Sequence, residues 1–306
     1  MSTLSEVLTD VQALEPIDLP LLDSLGCVLS SSVVAPANVP AFATADVDGF
    51  AIRAQDHEPG EVLRVIDEVP AGFRASEPLI PGTCIAVTRG APLPDEADTI
   101  VRASDARVVD GGVMLAAAPM GSGVVGVGEL IEVGTPIAAV GRLIDADLIG
   151  LLARAGVRSV EVHPRPRVLV VTIGSEFVEP GVPTPTGLVT DHLSFLAAAL
   201  VAEAGAMVFR VPPVLDDLAE VEAVVDDHAH RSDLIVLCGV DDHALPEITA
   251  PLGLAMHESP AGHSVMIGSR QGAIVLGLAD EPAALGAQAR EILPVVIGRL
   301  LGRHET

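Results

Sequence analysis

The sequence predicts an α/β protein: a doubly wound, mostly parallel sheet in the second half, preceded by helical segments interrupted by a small all-β module. Two observations carry this. From about residue 163 apolar strand-like runs alternate with helical spacing, opening with "RVLVVTIG", a continuous β-branched run of the kind found in central parallel strands. Between about 50 and 133 the apolar runs are short and cut by Gly and Pro, as in "VLRVIDEVPAG", "GTCIAVTRGAPLP" and "GGVMLAAAP".

Taken in order, Leu4, Val7, Leu8, Val11 and Leu14 recur at helical spacing over 3 to 14, and Leu21 to Leu29 is expected to form a second helix. Helical spacing resumes after the β module at "LIDADLIGLLARAGV", residues 143 to 157, so the module reads as an insertion. Pro164 and Pro166 punctuate the chain before the α/β part. There Asp191 is placed to cap a helix with Leu193, Leu196, Leu200 and Val201 on its apolar face, and Gly205 to end it. Strand "MVFRV", helix "DLAEVEAVVDDHA", strands "DLIVLCG", "SVMIG" and "AIVLGL", and a helix from about 282 to 302 follow, with a kink expected at Pro294.

Composition narrows the chemistry. Hydrophobic residues make up 49% but aromatics only 2%, with no Trp or Tyr, so the cores must be aliphatic. All 17 basic residues are arginines against 42 acidic residues, a net charge of -25, which argues against nucleic acid or an anionic membrane surface as partner. Cys27, Cys84 and Cys238 are odd in number and widely spaced, which suits structural thiols in a reducing compartment. The amino terminus has neither a basic n-region nor an apolar h-region, and no apolar run reaches about 18 residues, so the expectation is a cytoplasmic protein.

The stretch "LIVLCGVDDHA", residues 234 to 244, poses the functional question. It starts as a buried strand and breaks at a glycine, where the crevice of an open α/β sheet receives its ligand, yet two aspartates follow. The Asp-Asp-His triplets at 226 to 228 and 241 to 243, with His230 and His257, also suggest metal ligands. His228 and His230 are two apart and face different sides of a helix, so a solvated helix end is the better reading and no metal site is assigned.

Several segments resemble one family. "VDGFAIRAQD" is similar to the Met-Asp-Gly-Tyr-Ala segment, "RGAPLPDEADTIVR" to the Thr-Gly-Ala-Pro segment, and "RPRVLVVTIGSEFVEPG" to the Arg-Pro-Arg strand of the molybdopterin molybdenumtransferases, the MoeA and gephyrin E-domain family. "GLLARAG", "TDHLSFLAAALVAEAGA" and "VLDDLAEVEAVV" extend the resemblance over almost the whole chain. It implies an elongated first domain (1–49 and 134–162), an inserted β-domain (50–133) and a molybdopterin-binding α/β domain (163–306), dimerising through the elongated parts. It further implies that adenylylated molybdopterin sits in the α/β crevice and receives molybdate as the adenylate is hydrolysed with Mg²⁺. Asp48, Glu176 and Asp216 are the implied catalytic carboxylates, suited to holding Mg²⁺ or positioning water. Arg89, Gly90, Gly174, Asp191, Gly239 and Pro282 are the implied cofactor-binding positions, with Arg89 a replacement anion contact. Simpler roles stay open: Asp191 as a helix cap, Asp216 and Asp217 in a first helical turn, Asp48 in an Asp-Gly turn.

The departures from the family pattern bear on activity. Its Ser-Gly-Gly-Val-Ser-x-Gly turn is here Leu237-Cys238-Gly239-Val240-Asp241-Asp242, and its Gly-Leu-Pro-Gly-Asn-Pro turn is Gly277-Leu278-Ala279-Asp280-Glu281-Pro282. The Pro-Gly-Lys-Pro lysine is absent, and the small C-terminal β-domain usual in the family does not follow Thr306. Free N-H groups at the start of the last helix would offer an anion site, but Asp280 is placed to occupy them. Two like charges about 5 Å apart repel by roughly 3 kcal/mol at an effective dielectric near 20. The expectation is a divergent, non-catalytic dimeric scaffold for a protein partner with a degraded crevice. The alternative is an active Mg²⁺-dependent insertase converting adenylylated molybdopterin and molybdate to molybdenum cofactor.

Overall fold

The computed structural model describes residues 8, 11–240, 249–259 and 261–303. The chain divides into two compact units, one comprising Met1–Ser32, Ala139–Ile149 and Ser159–Thr306, the other Val33–Ala138 and Gly150–Arg158.

The second of these is strand-rich. Its main sheet is built from β1 (Gly49–Ile52), β2 (Val62–Val69), β3 (Thr83–Val87), β4 (Thr99–Arg102), β5 (Ala106–Val109) and β6 (Gly112–Leu115) in the order β4-β1-β3-β2-β6-β5. Only β2 and β3 pair in parallel. Alternation along the strands sends Ile85 and Val87 to a core with Ala51, Val69 and Ile100, and Cys84 to one with Ile52, Leu63, Val101 and Val113. Helix α1 (Ala146–Arg154) contributes to this unit from Gly150 on; its start belongs to the other unit, where the Asp145 carboxylate accepts from Leu148 N at 2.8 Å.

The other unit holds a mixed six-stranded sheet: β7 (Arg167–Thr172), β8 (Met207–Arg210), β9 (Leu234–Cys238), β10 (Ala255–Glu258), β11 (Ser264–Arg270) and β12 (Ala273–Leu278), in the order β8-β7-β9-β12-β11-β10. The first four in that order run parallel, whereas β11 and β10 are antiparallel additions, because β11 turns straight into β12 through Gln271 and Gly272 with no crossover helix. Period-two alternation divides the apolar side chains between two faces. Val168, Val170, Val236 and Leu276 pack on α2 (Leu193–Glu203) and α4 (Pro282–Leu300), while Leu169, Val171, Ile235 and Val275 pack with Val221 and Val225 of α3 (Leu218–Ala229). Both cores are aliphatic, and the three cysteines are free and buried. Pro294 lies inside α4, which continues past it.

The same unit carries a three-stranded sheet ordered Ile17–Pro20, Ser159–His163, Val28–Leu29. The helix expected over 21 to 29 is not there. Pro20 O accepts from Asp23 N and Ser24 N at 3.0 and 3.1 Å, and Gly26 at φ 80° closes this turn before a second helical turn can form. The helix expected over 3 to 14 falls mostly outside the described residues; Val11 to Pro16 are not helical.

Candidate functional site

The carboxyl ends of β7, β8, β9 and β12 meet through a set of tightly bonded turns. Ile173, just past β7, donates to Cys238 O at 2.8 Å, and Gly174 N donates to Val214 O at 3.0 Å, tying the turn after β7 to the segment after β8. Gly239 (φ 89°) lies against this turn so closely that a Cβ there would sit 2.4 Å from Ile173 O. Only glycine fits, for conformation and contact alike. Gly239 N and Val240 N reach Ala279 O and Leu278 O at 3.3 and 2.9 Å, joining the third turn to the others.

Two of the predicted catalytic carboxylates belong to this rim. Glu176 and Asp216 are both exposed, on the turns after β7 and β8, and Ser175 between them donates to Asp216 Oδ1 at 2.6 Å. That hydrogen bond holds the Asp216 carboxyl below its ordinary value. Gly174 takes φ 148°, a conformation that side chains rarely adopt, and a Cβ there would stand 2.7 Å from Glu176 Oε2 and from Phe177 Cδ2, so both side chains would have to shift. The neighbouring Asp217 is the N-cap of α3, accepting from Ala219 N at 3.0 Å.

Asp191 lies elsewhere in chemical terms. It is 1% exposed and accepts from Thr172 Oγ1 at 2.9 Å, Ser194 N at 3.2 Å, Arg210 Nη2 at 3.0 Å, and the Ser194 hydroxyl. Arg210 also reaches Ser194 Oγ at 2.8 Å and Glu179 Oε1 at 3.1 Å, with its guanidinium 3.7 Å from the Phe195 ring centre. Both Asp191 oxygens are thus committed within the protein, and the side chain is a structural anchor at the start of α2 rather than a free ligand. Beside it, burial pushes the Cys238 thiol up, with the Asp191 charge adding to the shift, so Cys238 stays a neutral core group. The sequence reading missed Arg210, Thr172 and Ser194. Only Ser194, at the Asp-x-x-Ser spacing of a cap, carried a local signal.

At the start of α4 the expected cap changes hands. Pro282 occupies the first helical turn, so the residue before it, Glu281, is the N-cap and accepts from Ala284 N at 2.8 Å; Asp280 is not the capping residue. Gln288 fixes this turn from within, accepting from Ala279 N at 2.8 Å and donating to Ser264 O at 2.6 Å. Asp241 and Asp242, central to the sequence argument, lie outside the described residues, as does the triplet's His243.

Asp48, Arg89 and Gly90 belong to the strand-rich unit. Asp48 Oδ1 accepts from Arg89 N at 2.7 Å, so this carboxylate organises the turn that begins the Gly-Ala-Pro segment. Gly90 takes φ 84° there and donates to Ala45 O at 2.8 Å. The Arg89 guanidinium is exposed, with Asp46 3.8 Å away. Gly49, after Asp48, is required by packing: a Cβ would stand 2.1 Å from Val101 O. Among the described residues no group of three or more His, Cys, Asp or Glu side chains is placed to hold a metal, and no helix is long and apolar enough to cross a membrane.

Comparison with known proteins places these features. Residues 2–156 match the family described as the MoeA N-terminal region (domain I and II). The chain is 35% identical over 238 residues to molybdopterin molybdenumtransferase 2 of Mycobacterium tuberculosis (strain ATCC 25618 / H37Rv), covering 75% of this chain and 58% of that protein. To the molybdopterin molybdenumtransferase of Nostoc sp. it is 26% identical over 294 residues, covering 90% of this chain and 67% of that protein. A crystal structure of the molybdopterin biosynthesis MoeA protein from Pyrococcus horikosii superposes with a TM-score of 0.78 at 27% identity, covering 97% of this chain and 78% of that one.

Proposed function

Since the chain belongs to the MoeA family, we propose that it is a molybdenum cofactor biosynthesis protein whose crevice has lost its high-affinity anionic ligand, and that it acts as a non-catalytic homodimeric scaffold in the cytoplasm. In this reading the α/β part, 163–306, is a doubly wound domain of the molybdopterin-binding type, and 50–133 is the inserted β-domain. The observation that carries it is the Glu281 cap. Its carboxylate occupies an N-H at the start of α4 that would otherwise face an anion, and leaves a negative charge where phosphate would sit. Asp280 adds a second carboxylate alongside.

A specific observation supports the alternative, an active insertase acting on adenylylated molybdopterin and molybdate. Glu176 and Asp216 are exposed on adjoining turns, a donor set that fits Mg²⁺, which takes one or two carboxylates together with substrate phosphates. Those two residues would hold the ion, which when bound would neutralise charge on the phosphoanhydride. Ser175 would keep Asp216 ionised and oriented.

Expression in cells lacking their own insertase separates the two. The scaffold reading expects no restored molybdoenzyme activity and no micromolar binding of adenylylated molybdopterin by calorimetry, with or without Mg²⁺. Restored activity that disappears in Glu176→Ala would establish the insertase instead.

A further inference from the structure

The strand-rich unit, Val33–Ala138 with Gly150–Arg158, carries a recess of its own of about 330 Å³. Its wall includes Phe42, Arg74 and the run Pro92, Leu93, Pro94 and Asp95. Hydrogen bonds fix that wall in place. Ala71 N donates to Thr88 Oγ1 at 2.9 Å, and Ser76 donates through N and Oγ to Asp67 Oδ2 at 2.7 and 2.9 Å, so the loop bearing Arg74 is pinned on both sides of it. Leu93 N donates to Ala43 O at 2.8 Å, which ties the proline run to the segment of Phe42. A wall held in advance lowers the ordering cost of taking up a ligand.

The wall has an apolar part and two charged points. Pro92 and Pro94 have no N-H and that of Leu93 is spent on Ala43, so these three residues present no backbone donor. Phe42 is 49% exposed in a chain whose only aromatic rings of the Phe, Tyr and Trp kind are six phenylalanines. That ring is open to a ligand. The charged points are Arg74 and Asp95, both exposed, and among the described residues neither side chain has a hydrogen bond or an ion pair.

Charge and size select the occupant. A free anion would meet Asp95 and the field of a chain of net charge -25, whereas a free cation would meet Arg74. A ligand with one charge of each sign answers both side chains and is neutral towards the general field. The volume stands at the low end of the range of about 300–1,000 Å³ for small-molecule sites, which suits a single amino acid better than a peptide.

We propose that this recess binds an apolar α-amino acid, with its carboxylate on Arg74, its ammonium on Asp95 and its side chain against Phe42 and the proline run. The inference is independent of whether the crevice of the other unit binds molybdopterin.

The test titrates L-phenylalanine and L-leucine into the full chain by calorimetry, with phenylpropionate, which lacks the ammonium, and phenethylamine, which lacks the carboxylate, as probes of each end. Both amino acids are expected to bind with a dissociation constant under about 10 mM. Each one-ended probe is expected to bind at least about fivefold more weakly than phenylalanine. Arg74→Gln and Asp95→Asn should each weaken phenylalanine binding about fivefold or more, and Phe42→Ala about threefold. Arg107→Gln on β5, an equal change of charge outside the recess, should have under about twofold effect. In protein carrying isotope-labelled phenylalanine, the Phe42 ring resonance, assigned through Phe42→Ala, should move on binding. Affinity weaker than about 10 mM for both amino acids, one-ended probes that bind as well as phenylalanine, equal weakening by Arg107→Gln, or an unmoved Phe42 resonance would each overturn the proposal.

Discussion

At the scale of single residues, side chains with the same charge do different work according to what donates to them. Asp217 caps a helix, Asp191 is sealed among Thr172, Ser194 and Arg210, and Asp216 remains at the surface with one short bond from Ser175. Sequence spacing places Asp216 and Asp217 alike in a first helical turn, and the structure makes Asp217 alone the N-cap. Spacing could not find Arg210, which meets Asp191 only because the edge strand β8 lies beside β7. The Asp216 case gives a pH prediction. Its carboxyl is lowered in the folded state by the Ser175 bond, so the associated stability is present above the unfolded-state value and is lost as pH falls through the folded-state one. In Ser175→Ala the Asp216 carboxyl should titrate closer to an ordinary aspartate, followed by NMR of its side-chain carbon. An unchanged titration would mean that the hydroxyl is not what holds it.

At the scale of elements, the parallel strands were legible because buried β-branched runs such as "RVLVVTIG" suit few other structures. The helix proposed for 21 to 29 failed because leucine spacing there describes side chains on a turn. One Gly at positive φ outweighs a periodicity sustained over only two turns. The start of α4 shows a similar limit: acidity at 280 and 281 was visible, but which carboxylate caps depends on where Pro282 sets the first turn. Removing that cap by Glu281→Ala should cost about 1 kcal/mol in urea unfolding. Glu281→Ser keeps an acceptor and should cost less than about 0.5 kcal/mol. The serine variant also removes the charge, so inorganic pyrophosphate should bind it more tightly than the parent chain. If both variants bind pyrophosphate no better, the electrostatic account of the crevice fails.

At the scale of the whole molecule, a net charge of -25 without a single lysine means that surface carboxylates outnumber the cations available to pair with them. Self-repulsion of this kind is long-ranged and screened by salt. The melting temperature, read by far-ultraviolet circular dichroism, is therefore expected to rise by several degrees between about 0.02 and 0.3 M sodium chloride. A flat or falling trend would show that specific pairs such as Arg167 with Asp233 outweigh the general field. A mostly parallel sheet with helices between its strands could be anticipated from alternation alone, while the reversal of β11 and β10 that makes the sheet mixed could not, since the period of a strand carries no direction. The aliphatic packing of both faces of that sheet has an optical consequence. With no indole or phenol ring among 306 residues, the protein is nearly transparent in the near ultraviolet. A pterin entering the crevice would be seen by its own absorption and fluorescence against a dark background, with no probe attached and no chain signal to subtract.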